Sequence, residues 1–432
     1  MHTFSIVLPY YPMPACGRQV LTIIMLTIEG NIVNTNKVFR GRIEIDQNGT
    51  ITKIGEPGGD ADFVFGDELI FPGFIDLHVH ARECADHSQD YKEDFKTAGE
   101  AAINGGVVAF CEMPNNPVPP IDDKSYEEKK KLTEKSQAEV ILYAGLGPNT
   151  KPLSKKVPYK VYLGHSVGNL FFTSYEDLEK TLESYRGQNV SFHCEDPRIL
   201  EEHKNESTHT ARRPKEAEVS AVDFALKMIE KYNLEGKICH LSTAVGLKKV
   251  EEARQRFVNV AVEVSPHHLY NDSEILTPKN EKWMQMNPPL RERSDRLALI
   301  EGLRRGVINF LATDHAPHTK EEKEKGASGT PQLDTYGAFT TWLMKEHKFT
   351  PEEIALVCSA NPANFINEFT KTPYGKVKEG FAGSLTIIDP NKKFTVTEDK
   401  LKTKCGWSPF EGVTFPGSVV MTVIKGVAYE NK

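Results

Sequence analysis

His78 and His80 stand one residue apart at the end of the apolar run in PGFIDLHVHAR (residues 72 to 82), and Arg82 follows two residues later. On an extended strand, residues i and i+2 face the same way, so both imidazoles can reach one ion while Val79 packs behind them. Further polar groups punctuate later runs of similar make-up: Lys160 in YKVYLG, His193 in NVSFHCE, His240 in GKICHLS, and Asp314 at the end of VINFLATD. Imidazole and carboxylate are ligands suited to zinc and related divalent metals. Taken singly, each has a bland reading: a buried histidine, a strand-end lysine reaching for water, an aspartate capping a helix. Their recurrence at matching strand ends makes a shared metal site the better reading.

Groups so far apart in sequence need a scaffold that returns to one rim. Eight short β-branched or apolar runs recur between Phe74 and Thr313: 73 to 79, 106 to 113, 138 to 146, 159 to 164, 189 to 195, 236 to 242, 258 to 265 and 307 to 314. Most are followed by polar helical stretches, such as DYKEDFKTAGEAAING and KEAEVSAVDFALKMIEKYNLEGK, several of them ending in glycine. Strand and helix alternating eight times predict an α/β fold, a (β/α)8 TIM-type barrel over residues 71–372. Its catalytic groups would sit at the C-terminal ends of the strands. Residues 25–70 and 373–432 return to short alternating strands and predict a small β-sandwich domain built from both chain ends. Residues 1–24 carry apolar patches interrupted by prolines and no basic leader, a poor signal peptide and no transmembrane span. They read as a disordered or non-native extension, with order beginning near Met25.

The 432-residue chain has 39% hydrophobic and 26% charged residues, the composition of an ordinary globular protein. Its 53 Lys and Arg against 60 Asp and Glu leave a net charge of -7, with the signs interspersed, so neither nucleic acid nor a membrane surface is an expected partner. A small-molecule substrate is. Seven widely spaced cysteines without a CxxC pair argue against a disulfide framework and for a reducing cytoplasm.

The segments PGFIDLHVHARE, CEMPNNPVP, YKVYLG, VSFHCED, ICHLS, VSPHHLYND, MNPPLRERSDRLAL and ATDHAPHT closely resemble the dihydroorotase family of the amidohydrolase superfamily, over roughly residues 70 to 320. The resemblance implies reversible, metal-dependent cyclisation of N-carbamoyl-L-aspartate to L-dihydroorotate in pyrimidine biosynthesis. It implies two zinc ions per subunit: His78, His80 and Asp314 on one, His193 and His240 on the other, and Lys160 bridging both as a carboxylated lysine. A hydroxide held between them would attack the ring amide, with Asp314 as general acid and base. Arg82 would grip the substrate carboxylate with its planar fork, assisted by Asn115, Asn287, His318 and Gly329. By analogy, a homodimer is expected. Cys239, Glu263, His267 and His268 resemble positions that hold an additional zinc in some relatives, although a buried cysteine and paired loop histidines also have ordinary structural roles.

The chain departs from the family pattern in places. Cys84-Ala85 stands where Pro-Gly is usual, Asn116 where threonine is, Ser328 where Phe or Pro is, and Gln332 where glycine is common. Two alternatives remain: another cyclic-amide hydrolase of the hydantoinase or allantoinase type, and a catalytically silent scaffold. Arg82 speaks against the first, since an uncharged ring gives a buried guanidinium nothing to pair with. The complete ligand set speaks against the second.

Overall fold

The computed structural model describes residues 25–164 and 170–431. The extension expected over residues 1–24, with Cys16, lies outside the described residues. Each of the eight runs contains parallel strand, and strands are numbered here in chain order. After β1 (Leu26–Asn34), β2 (Lys37–Ile45), β3 (Ile51–Gly55) and β4 (Phe63–Pro72) come the parallel strands β5 (Phe74–Val79), β6 (Val107–Glu112), β7 (Glu139–Leu142) and β8 (Ala144–Leu146). They continue through β9 (Tyr159–Tyr162), β10 (Asn189–His193), β11 (Glu235–Ile238), β12 (Val260–Val264) and β13 (Phe310–Leu311).

Two ladders run β5-β6-β7 and β8-β9-β10-β11-β12-β13. Only Tyr143 separates β7 from β8, so one run supplies both. At the far end a parallel bridge joins Val79 to His315, and His80 N donates to His315 O at 2.7 Å. The ladder thus comes back to its first strand. β5 and β6 are buried along their whole length, as strands covered on both faces must be, and this accounts for their mostly apolar make-up.

Surface helices follow most strands. Phe95–Asn104 starts at Asp94, whose side chain accepts from Thr97 N in a capping box, and ends at Gly105. Lys215–Tyr232 buries Ala217, Ala221, Val222, Ala225 and Ile229, the stripe that its spacing predicts. It ends on Asn233 at φ +49° rather than on the glycine expected, which lies inside β11. Among the described residues no helix is long and apolar enough to cross a membrane, and the six described cysteines are unpaired.

Both chain ends meet in one seven-stranded sheet of order β18-β17-β14-β4-β1-β2-β3, where β14 is Leu385–Asp389, β17 Ser418–Ile424 and β18 Val427–Glu430. A two-stranded ladder of β15 (Phe394–Thr395) and β16 (Thr414–Phe415) stands apart. The expected sandwich of two sheets is, among the described residues, a single sheet. It curls because the edge strand β3 hydrogen-bonds the segment entering β14: Ile51 N donates to Phe381 O and Gly380 N to Ile51 O. The curl encloses a core of its own, including Ile28, Ile43, Ile70, Leu385, Ile387 and Val423.

Candidate metal centre and its cleft

The strand ends of the parallel ladder open on a cleft of about 320 Å³. Ten of the eleven residues expected from sequence to hold the two metals or the substrate line it: His78, His80, Arg82, Asn115, His193, His240, Asn287, Asp314, His318 and Gly329. Lys160 does not; it is fully buried below the floor. Ligand atoms of His78, His80 and Asp314 lie within 4.8 Å of one another, with each Nε2 3.2 Å from Asp314 Oδ1. Beside them His193 Nδ1 lies 2.9 Å from His240 Nε2, and the rings of His78 and His240 are 5.2 Å apart.

Two carboxylates orient these imidazoles. Glu263, at the end of β12, takes His78 Nδ1 and leaves Nε2 turned to Asp314; Glu195 takes His193 Nε2 at 3.0 Å and leaves Nδ1 turned to His240. Such partners set tautomer and ring angle in metal-binding histidines. Each carboxylate has its own cation, Lys237 for Glu263 and Arg213 for Glu195. Burial alone would raise the Glu195 carboxyl, but Arg213 and His193 outweigh it and hold it down at about 2. Burial pushes the imidazoles of His78, His80 and His240 well below their ordinary value, and the Lys160 charge adds to this. His193 is lowered too, again chiefly by burial. Four neutral imidazoles with oriented lone pairs beside a buried carboxyl make a donor set that fits divalent cations.

Lys160 Nζ donates to the Cys239 thiol at 2.8 Å and lies 5.2 Å from the Tyr162 ring. Among the described residues it makes no salt bridge, and its charge acts on all four imidazoles and on Asp314. A buried ammonium so placed is costly as a cation.

Support below the site comes from residues that the sequence reading passed over. Asp76 accepts from His78 N and Thr313 N, both at 3.0 Å, and from Thr313 Oγ1, so it ties β5 to the residue before Asp314. Burial raises its carboxyl to about 7 against those hydrogen bonds. Its place two residues before His78, on the same strand face, was the available signal. Tyr162, two residues after Lys160, likewise enters the cleft, where its hydroxyl and Asn287 Oδ1 have no hydrogen-bond partner among the described residues.

Arg82 is 3% exposed and takes a left-handed φ of +64°. His240 at φ +32° and Asp314 at φ +49° share that uncommon conformation, so backbone strain concentrates at the cleft. Glu112 holds the Arg82 turn by accepting from Ala81 N, and Asn116 does so by donating to Arg82 O at 3.3 Å. Lys129, buried under both, bonds Glu112 and Asn116, which is what the asparagine contributes here. Arg82 Nε donates to Pro317 O at 3.2 Å, and an Nη2 hydrogen bond reaches His318 Nε2 at 3.3 Å. Burial first, then the Arg82 and Lys92 charges, lower His318 to about 3, so it accepts as a neutral ring.

The other departures are also absorbed. In the Cys84-Ala85 turn, Glu83 accepts from Phe95 N and pairs with Lys135, while His87 N closes on Cys84 O. Gln332 is fully buried: its amide accepts from His267 N at 2.9 Å and donates to Thr313 O at 2.8 Å. Gly329 is required, because at φ +132° a Cβ would stand 2.6 Å from Ala316 O.

The four residues that resemble an additional zinc site do not converge on one point. His267 and His268 each turn Nε2 to a backbone carbonyl, of Met284 and Pro288, at 3.0 Å. Cys239 and Glu263 do meet, but with His78, and His78 and Lys237 already engage both Glu263 oxygens.

The amidohydrolase family matches residues 69–145 and 173–428, and the gap between them contains Lys160. The dihydroorotase of Thermococcus kodakarensis is 34% identical over 409 residues, 93% of this chain and 93% of that one. That of Pyrococcus furiosus is 32% identical, covering 93% and 91%, and that of Listeria monocytogenes 31%, covering 93% and 98%. In solved structures, an L-hydantoinase (dihydropyrimidinase) from Arthrobacter aurescens superposes with a TM-score of 0.85 at 21% identity, over 94% of this chain and 96% of that one. A D-hydantoinase does so at 0.85 and 22%, over 95% and 96%. At that identity the likeness concerns the fold.

Proposed function

The chain belongs to the amidohydrolase family, and from that premise and the cleft geometry we propose that it is a dihydroorotase, interconverting N-carbamoyl-L-aspartate and L-dihydroorotate. In this reading the parallel ladder over residues 71–372 is a closed (β/α)8 barrel, and residues 25–70 with 373–432 form a separate β-domain beside it. His78, His80 and Asp314 would hold one zinc, His193 and His240 a second, and Lys160 would join them as a carbamate. Addition of carbon dioxide to the amine, with loss of a proton, would replace that buried cation by a two-oxygen anion, whose charge divalent cations held by the same residues would offset. Bound metal would supply a lowered water pKa and a polarised carbonyl.

The remaining work falls to side chains. In ring opening, Asp314 takes one proton from the attacking water and passes it to the amide nitrogen as the ring C–N bond breaks, the second being released as the new carboxyl ionises; in cyclisation it takes the carbamoyl N–H proton as that nitrogen attacks the side-chain carboxyl and returns it to the departing oxygen, which leaves as water with a second proton drawn from solvent. Burial, opposed by Lys160, raises its carboxyl above the ordinary range. Arg82 binds the substrate carboxylate, while Tyr162 and Asn287 offer unpaired polar atoms to the ring.

One observation carries this reading over that of a hydantoinase. Among the described residues Arg82 is a buried guanidinium in a metal-donor cleft with no carboxylate at salt-bridge distance, and its partners are a carbonyl and a neutral imidazole. An anionic substrate completes it. Metal-loaded protein is incubated with dihydroorotate and with dihydrouracil, and ring opening is followed by ultraviolet absorbance. Opening of dihydroorotate is expected; opening of dihydrouracil alone would sink the assignment.

A further inference from the structure

Lys323, on the short helix Lys320–Glu324, is completely buried. Its ammonium donates to three backbone carbonyls: Gln285 at 3.0 Å, Ala327 at 2.7 Å and Gly329 at 2.9 Å. Three N–H groups meet three acceptors, and among the described residues no carboxylate pairs with it. The carbonyls belong to two segments that build one wall of the cleft, which Ala327, Ser328 and Gly329 line. Gln285 binds the same loop from the other side: its carbonyl accepts from Gly329 N at 2.9 Å, and its amide donates to Gly326 O and Ser328 Oγ. Trp407 covers the cluster, with its ring 5.6 Å from the ammonium and its Nε1 donating to His318 O at 2.7 Å.

We propose that Lys323 is a positioning residue for substrate binding: its ammonium gathers the Gln285, Ala327 and Gly329 carbonyls and so holds residues 327–329 as a rigid wall of the cleft. This rests on the dihydroorotase reading only in naming what the wall binds. A buried lysine that served packing alone would have no reason to be a cation, because burying an unpaired charge costs free energy that an apolar chain avoids. Here the charge does what such a chain cannot, satisfying three buried carbonyls at once. Burial lowers the amine to about 7. The groups facing it are Cys405 from the C-terminal segment, His267 from the helix Pro266–Tyr270 and His318 from the loop after β13. On its own helix Glu322 is turned away to Lys92 and His318. A neutral amine has one donor fewer and a lone pair facing oxygen, so the tie slackens as pH rises through that value.

The test uses the full chain and the variant Lys323→Met. Hydrogen exchange of residues 325–330 is read without substrate, and KM and kcat for dihydroorotate are read with it. Loss of a buried donor predicts exchange about tenfold faster in that loop alone, and KM about tenfold higher with kcat changed by less than about threefold. In the wild type KM should climb between pH 6 and 9; in the variant it should be high and flat across that range. A folded variant with wild-type protection of the loop, or with kcat falling in step with an unchanged KM, would overturn the proposal. Should the variant not fold, wild-type exchange corrected for intrinsic chemistry decides: a rise from pH 6 to 8.5 confined to the loop supports the tie, and a flat profile refutes it. Because exchange needs no substrate, a loosened loop in a protein inert to dihydroorotate would refute the activity while leaving the tie intact.

Discussion

Replacing Arg82 with methionine separates substrate recognition from metal chemistry. The guanidinium is 3% exposed, anchored through Nε to Pro317 O and through Nη2 to His318, and pairs with no carboxylate of the chain among the described residues. If it binds the substrate carboxylate, truncation removes one partner of a desolvated, hydrogen-bonded charge pair, a loss of about 2–5 kcal/mol. In kcat/KM that is a fall of roughly 30- to 5,000-fold on dihydroorotate, carried mostly by KM. Lysine at the same position keeps the charge without the planar fork and should recover only part of it. Stability should change little, because the two hydrogen bonds that the fold loses, worth ~1 kcal/mol each, are offset by relief from a buried charge. The assay is steady-state ring opening of dihydroorotate and dihydrouracil side by side, with bound metal measured on the same samples. The preference for dihydroorotate should collapse at unchanged metal content. A variant within about threefold of wild type on dihydroorotate, or one whose metal is lost in parallel, would refute the role.

Lys160→Ala should lose bound metal and regain part of its activity with added short carboxylic acids; full activity without them would rule out a bridging role. Gly329→Ala forces a side chain into φ +132° and toward Ala316 O, so substrate binding should weaken by an amount on the order of 1–3 kcal/mol, read as a raised KM. Acid should weaken the fold through His267 and His268, which burial lowers from 6.5 to about 4 and about 3. The unfolded chain binds these protons first, so their contribution is whole above about 6.5 and is lost as pH falls through the folded values. At pH 5 each should already have cost about 2 kcal/mol, visible as a lower urea midpoint than at pH 7; equal midpoints would contradict the burial argument.

By itself the sequence determined the strands and the polar groups that converge on the cleft. Burial on both faces favours mostly apolar runs, so β5 and β6 are plain to read, and a polar group within or at the end of such a run is conspicuous. The HxH spacing already places two imidazoles on one face. Only the tertiary structure decided which groups orient those side chains. Glu263 reaches His78 across 185 residues, and Asp76 reaches Thr313 across 237. Their positions on the strands could be read, but not the partners that they reach. The curled sheet was hidden for a related reason: β4 pairs with β14 more than 300 residues later, and alternation reports which face is buried but not which strand lies alongside. Lys323 was the least legible, since its partners are backbone carbonyls, which every residue has. Their convergence on one ammonium is a property of the folded path of the chain, which no residue type announces.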